Sequence, residues 1–207
     1  MSSSRTVSAL VFSRKNIGEA DRLMAFFTRE EGLIKVIAKG VRKIPSARGG
    51  HLEPCTQVLA NITDSKHGLY MGNVETQDYF HALRNDPDAF IRACKHIALF
   101  QRLFTEHQAV PELFDALILG WQLYPSLSQE KRIVMDAAIA LQIVQYAGVM
   151  PDMRLWGEGA VQDKNQKVIK YLSEHPDHAP RIALSEDDAR GVARVMNDLL
   201  ARTVVYS

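Results

Sequence analysis

The order of apolar and polar positions changes period along the chain, from two in the first 80 residues to between three and four afterwards. Val7 to Phe12 is an apolar, β-branched run that puts Ala9 and Val11 on one face and Leu10 and Phe12 on the other. Asn16-Ile17-Gly18 supplies a turn. Arg22 to Thr28 reads as a second strand, although its spacing also suits a short helix. Glu31-Gly32 forms a tight turn into Leu33 to Ala38, which alternates. Gly40, Pro45, Gly49 and Gly50 then mark residues 40–51 as a long loop. Val58 to Ile62 and Leu69 to Val74 are two more strands, separated by residues 64–68. Five short strands in so short a stretch predict a small antiparallel β-barrel of the OB-fold type, an architecture that commonly carries oligonucleotides on its face and loops.

Beyond the barrel the pattern is helical. Phe90, Ala93, Ile97, Phe100 and Phe104 recur at helical steps, with Arg92, Lys95, His96 and Arg102 mostly on other faces. Pro111 opens a second helix through Leu113, Leu117 and Trp121. Ser126 with Gln129 resembles a capping box for a third, whose stripe is Ile133, Ala137, Leu141 and Val144 and whose stop is Gly148 with Pro151. A short helix is expected at Gln166 to Leu172, and a last one begins at Ser185 with Asp188 in the capping-box position. The fold class expected is therefore α+β: an OB-fold domain over residues 1–80, then an α-helical domain over residues 81–207, with the boundary near residues 77–87.

Composition narrows the class. The chain is 46% hydrophobic and 24% charged, as ordinary globular proteins are. No apolar run approaches the roughly 20 residues of a membrane helix. Residues 1–5 lack the apolar core of a secretory signal, so a cytoplasmic location is expected. Cys55 and Cys94 have no metal or redox spacing and read as reduced, packed thiols. The net charge is only +1, but its distribution is uneven. Residues 1–80 carry 11 basic and 8 acidic side chains, against 14 and 16 in the remainder. Between Gly32 and Leu52 there is no acidic residue, while Lys35, Lys39, Arg42, Lys43 and Arg48 all fall there. A block of one sign attracts polyanions, although a solvated loop has the same composition.

Enzymatic motifs are missing: there is no phosphate-loop signature, no Gly-x-Ser-x-Gly elbow and no His-Glu-x-x-His. The carboxylate pairs Glu30-Glu31, Asp187-Asp188 and Asp86/Asp88 include one in a turn and one at a helix start, where acids belong for local reasons. No catalytic residue and no cofactor are expected. His175, Asp177 and His178 are the only clustered metal-ligand candidates, and tetrahedral zinc wants four ligands, usually closely paired, so no metal site is expected.

The stretch from Ala9 to Lys43 (ALVFSRKNIGEADRLMAFFTREEGLIKVIAKGVRK), followed by Ser46, Gly50 and Leu52-Glu-Pro-Cys-Thr56, resembles the N-terminal domain of the RecO family of DNA repair proteins. The shared features, in order, are an apolar strand, a Gly-Glu pair, a Phe-Thr-x-Glu-x-Gly turn, an Ala-Lys-Gly-x-Arg-Lys segment and a Leu-Glu-Pro strand opening. The match runs over about residues 5–80, and only general helical character continues it. Many RecO-like proteins carry paired cysteines soon after a Gly-x-x-Pro stretch. Residues 148–157 here hold none, so the resemblance is to a zinc-less member.

That resemblance implies a non-enzymatic mediator of recombinational repair, cytoplasmic and nucleoid-associated. It would bind single- and double-stranded DNA and anneal complementary strands. With RecR it would help load the recombinase RecA onto strands coated by single-stranded-DNA-binding protein. Lys35 and Lys39, evenly spaced on one strand face, with Arg42, Lys43 and Arg48 on the loop beyond, supply cations that neutralise phosphates without reading sequence. Five such contacts to a single strand correspond to a salt slope of about −3.5. Arg14, Lys15 and Arg22 extend the surface. Phe12, Phe26, Phe27 and Tyr70 are candidate base-stacking rings, with a core role preferred. The acidic, hydrophobic tail of single-stranded-DNA-binding protein would dock on the helical domain, near Lys131 and Arg132 of the third helix and Arg92, Lys95 and Arg102 of the first. The alternative is an OB-fold adaptor that binds another protein and no DNA.

Overall fold

The computed structural model describes residues 3–43, 52–150 and 164–205. They divide into two compact units: Met1–His81 with Phe104–Asp115, and Ala82–Leu103 with Ala116–Ser207.

In the first unit five strands close into a barrel: β1 (Ser4–Ile17), β2 (Asp21–Thr28), β3 (Gly32–Ala38), β4 (Gln57–Ser65) and β5 (Gly68–Asp78), in the order β1-β2-β3-β5-β4. This is the expected OB-type barrel, and β2 is a strand rather than a helix. β1 is long enough to pair with β2 through its C-terminal half and with β4 through its N-terminal half. Closure comes from the parallel pairing of β3 with β5, in which Ile37 sits opposite Tyr70. The other pairings are antiparallel. A bulge between Val11 and Ser13 lets β1 curve around the barrel. Gly18, Gly32, Gly40 and Gly68 all take positive φ. At Gly32 the requirement is double, because an added Cβ would also lie 2.1 Å from the backbone oxygen of Gln108.

Alternation builds two apolar layers here. Val11, Met24, Phe26, Ile34, Val36 and Ile62 point into the barrel and are fully or nearly fully buried. The opposite parity contributes Phe12 and Phe27, whose rings lie 5.3 Å apart, with Phe114 packing edge-on at 5.7 Å from Phe27. The segment Phe104–Asp115 thus lies along β2 and β3, with Phe114 on Phe27 and the His107 amide donating to the Leu33 carbonyl at 2.9 Å, and the helical region expected to begin at residue 81 yields these residues to the barrel unit.

The helices are α1 (His81–Arg84), α2 (Pro87–Leu103), α3 (Pro111–Leu123), α4 (Gln129–Tyr146), α5 (Lys164–Glu174) and α6 (Glu186–Val205). In the second unit, α4 packs against α2, α5 and α6. The cap of α4 differs from expectation: Ser128, not Ser126, accepts from the Lys131 amide, because residues 124–126 form a 3-10 turn first. The cap of α6 is as expected, with Ser185 Oγ accepting from the Asp188 amide at 3.2 Å and donating to its carboxylate at 2.7 Å. His96, expected off the apolar stripe, is nonetheless buried. Its Nε2 lies 3.3 Å from Asp136, which also accepts from Tyr124 Oη at 2.7 Å and from Arg92. Among the described residues, no helix is long and apolar enough to cross a membrane.

Candidate nucleic-acid interface

Strand register decides which side chains share the outer face of the barrel. Lys15 on β1 lies opposite Leu23 on β2, Leu23 opposite Ile37 on β3, and Ile37 opposite Tyr70 on β5. Paired residues point to the same side of a sheet, so these four form one row across four strands. Lys35 and Ala25 belong to the next row on the same face. Lys39, two residues beyond Ile37, places its Nζ 4.7 Å from the centre of the Tyr70 ring. Leu23, Ile37 and Tyr70 are half-buried, while Lys15, Lys35 and Lys39 are exposed. The result is an apolar strip with a ring at one end and ammonium groups around it.

Just past β3 the chain turns through Gly40, with Arg42 and Lys43 exposed. That turn is fastened to the barrel by backbone donors. The Gly40 amide donates to Asp21 at 2.8 Å, the Arg42 amide to the Ala20 carbonyl at 3.0 Å and the Lys43 amide to the Gly40 carbonyl at 3.1 Å. The Arg42 guanidinium donates to the Gly18 carbonyl at 3.0 Å, which aligns it beside the β1–β2 turn. Lys39, Arg42 and Lys43 are thus cations on a held backbone, next to the Lys15–Tyr70 row.

The remaining candidates are less available. Lys35 pairs with Glu106 at 2.7 Å, both half-exposed. Arg14 pairs with Glu53. Arg22 is half-buried and donates to Asn16 at 3.3 Å. Arg48 lies outside the described residues, as do Ser46 and Gly50 of the motif and most of the cysteine-free stretch after Gly148. Of the four candidate rings, Phe12, Phe26 and Phe27 are buried and only Tyr70 keeps an exposed part.

In the second unit the cations expected to take up an acidic tail divide into two kinds. Arg132, 7% exposed, donates to Asp86 at 2.6 Å and to Asp88 at 3.1 Å. The Arg132 guanidinium holds the Asp86 carboxyl below its usual range, and Arg92 with Arg132 does the same for Asp88 against the opposing effect of burial. Arg92 bridges Asp88 and Asp136. These two arginines join helices. Lys95 and Arg102 are exposed and Lys131 is half-buried. A cleft of about 350 Å³ opens between α2, α4 and α6, with Lys95 beside Leu99, Ile133, Met196 and Leu200.

Members of the carboxylate pairs at residues 30–31 and 187–188 are held by cations as well. Glu31 accepts from Arg5 at 2.7 Å, Asp188 from Lys164 at 2.5 Å and Asp187 from Arg190 at 2.5 Å. Among His175, Asp177 and His178, from which no metal site is expected, His178 Nδ1 lies 2.6 Å from Tyr171 Oη; no group of three metal-ligating side chains occurs among the described residues.

Residues 1–79 match the family described as recombination protein O N terminal. A relative from Heliobacterium modesticaldum named DNA repair protein RecO is 32% identical over 147 residues, 71% of this chain and 52% of its own length. Another of the same name from Myxococcus xanthus is 30% identical over 146 residues, 69% of this chain and 58% of its own. The chain therefore spans little more than half the length of these relatives.

Proposed function

We infer from residues 1–79, which carry the RecO N-terminal domain, that the chain is a DNA-binding mediator of recombinational repair. It binds single and double strands through the outer face of β2, β3 and β5 and the turn at Arg42-Lys43, and brings complementary strands together. The observation that carries this reading is the row Lys15–Leu23–Ile37–Tyr70 with Lys39 over the ring and Arg42 and Lys43 beside it. Ammonium and guanidinium groups contact phosphates of any sequence, which is what an annealing protein needs. Arg14, Arg22 and Arg48 extend the path, and Lys35 joins it when a phosphate displaces Glu106.

The cleft beside Lys95 supports a second contact. An apolar floor with a cation at its rim fits the acidic, hydrophobic tail of single-stranded-DNA-binding protein, with Arg102 and Lys131 as further charges. Arg92 and Arg132 shape that surface through their ion pairs. RecR and the RecA filament follow as partners from the family reading alone.

The test is annealing of complementary oligonucleotides by the wild type and by Lys39→Ala/Arg42→Ala/Lys43→Ala. Annealing is expected to be lost with circular dichroism unchanged. A variant that anneals like its parent places the site elsewhere. A wild type that binds no single strand even at low salt leaves the adaptor reading, which the ion pairs of Lys35 and Arg14 would then favour.

A further inference from the structure

Tyr70 differs from the other barrel aromatics in where its ring faces. Phe26 is enclosed in the barrel, and Phe12 and Phe27 are covered by each other and by Phe114. Tyr70 stands on the outer face beside Ile37, half-buried, with the ammonium of Lys39 over its ring. A cation over an aromatic face is held weakly when it is also solvated. The same ring face offers a nucleobase a broad, sequence-tolerant stack, and the displaced lysine remains within one side-chain length of the strand's phosphates.

We propose that Tyr70 is a base-stacking platform capped by Lys39 in the free protein, so that the barrel face selects unpaired bases over duplex. This rests on the DNA-binding reading above. When a single strand arrives, a base replaces the ammonium on the ring and Lys39 moves to a phosphate. Neither half of the exchange leaves a group without a partner. Leu23 and Ile37 continue the apolar strip under the neighbouring base. A duplex cannot use the ring, because its base faces are already stacked on one another, so it binds through the cations alone. Discrimination between strands thus resides in one side chain, and affinity for phosphates in its neighbours.

The experiment measures binding of the full chain by fluorescence anisotropy to three probes of equal length: a thymidine oligonucleotide, an abasic backbone and a duplex. The proteins are wild type, Tyr70→Ala, Tyr70→Leu and Tyr70→Phe. The leucine variant keeps apolar bulk against Ile37 but has no ring, and the phenylalanine variant keeps the ring without the hydroxyl. Tyr70→Ala and Tyr70→Leu are expected to weaken thymidine binding by about 5- to 150-fold, the range of one base–aromatic stack. Their binding to the abasic and duplex probes stays at the wild-type level, and Tyr70→Phe follows the wild type on all three. Unchanged thymidine binding in both ringless variants overturns the proposal. So does an equal loss on all three probes, which assigns Tyr70 to supporting the cations. A wild type that binds none of the probes overturns the DNA-binding reading itself.

Discussion

Removing Lys39, Arg42 and Lys43 together has a consequence that can be calculated in advance. Five described cations lie on or beside the outer barrel face: Lys15, Lys35, Lys39, Arg42 and Lys43. Each single-strand phosphate neutralised contributes about −0.7 to the slope of log K against log salt, so five contacts correspond to about −3.5. The triple alanine variant keeps two and falls to about −1.4. Between about 50 and 200 mM salt the wild type therefore loses about 130-fold in affinity and the variant only about 7-fold. The comparison is clean because the turn is anchored by the amides of Gly40, Arg42 and Lys43, which alanine preserves. Among the described residues, the one side-chain hydrogen bond sacrificed, from Arg42 to Gly18, is exposed. Anisotropy titrations of a labelled thymidine strand at four or so salt concentrations give both slopes. If they differ by less than about 0.7, fewer than one phosphate contact has been removed, and the three residues do not form the site.

Further outcomes follow from other contacts. Glu106→Gln removes the carboxylate that a phosphate must displace from Lys35, so single-strand affinity should rise at low salt; an unchanged affinity means that Lys35 faces no phosphate. Gly32→Ala should lower stability by more than about 2 kcal/mol in urea titrations, since its φ of +74° is strained for alanine and the new Cβ meets the Gln108 backbone. Asp136→Asn should cost on the order of 2 kcal/mol at neutral pH, because Arg92, His96 and Tyr124 lose a charged acceptor. Burial pushes the Asp136 carboxyl up, but the hydrogen bond and charge of His96, aided by Arg92 and Tyr124, outweigh it and hold the folded value below the ordinary 3.8. A depressed carboxylate contributes stability that is present above its unfolded value and lost as pH falls through the folded one. The gap between wild type and Asp136→Asn should therefore shrink below about pH 4 in thermal melts; a constant gap down to pH 2 shows that ionisation of Asp136 is not what the asparagine removes.

The barrel was legible because a strand's parity is a local property. Val7 to Phe12 and Leu33 to Ala38 alternate regardless of what they pair with, and Gly18, Gly32, Gly40 and Gly68 mark turns by backbone chemistry alone. The end of α4 and the start of α6 were equally readable, since Gly148 takes the positive φ that follows a helix and Ser185 caps its own neighbour Asp188. The start of α4 lies two residues beyond the one the pattern predicts, because Ser126 with Gln129 fits a capping box and Ser128 with Lys131 does not, yet the 3-10 turn over residues 124–126 leaves Ser128 as the cap.

By itself, then, the sequence determined the element types outside β2, the barrel class, the family-like motif order and the run of cations without acids between Gly32 and Leu52. The tertiary structure decided which of those cations is engaged and what lies beside the rest. Glu106 reaches Lys35 across 71 residues of chain, and Tyr70 meets Lys39 only because β3 and β5 pair in parallel with Ile37 opposite the ring. Arg132 and Arg92, surface charges by their spacing, are drawn into ion pairs because Asp86, Asp88 and Asp136 converge on them from other turns and helices. Local patterning reports which way a side chain points, but its partner depends on strand register and helix packing, which many distant residues set jointly.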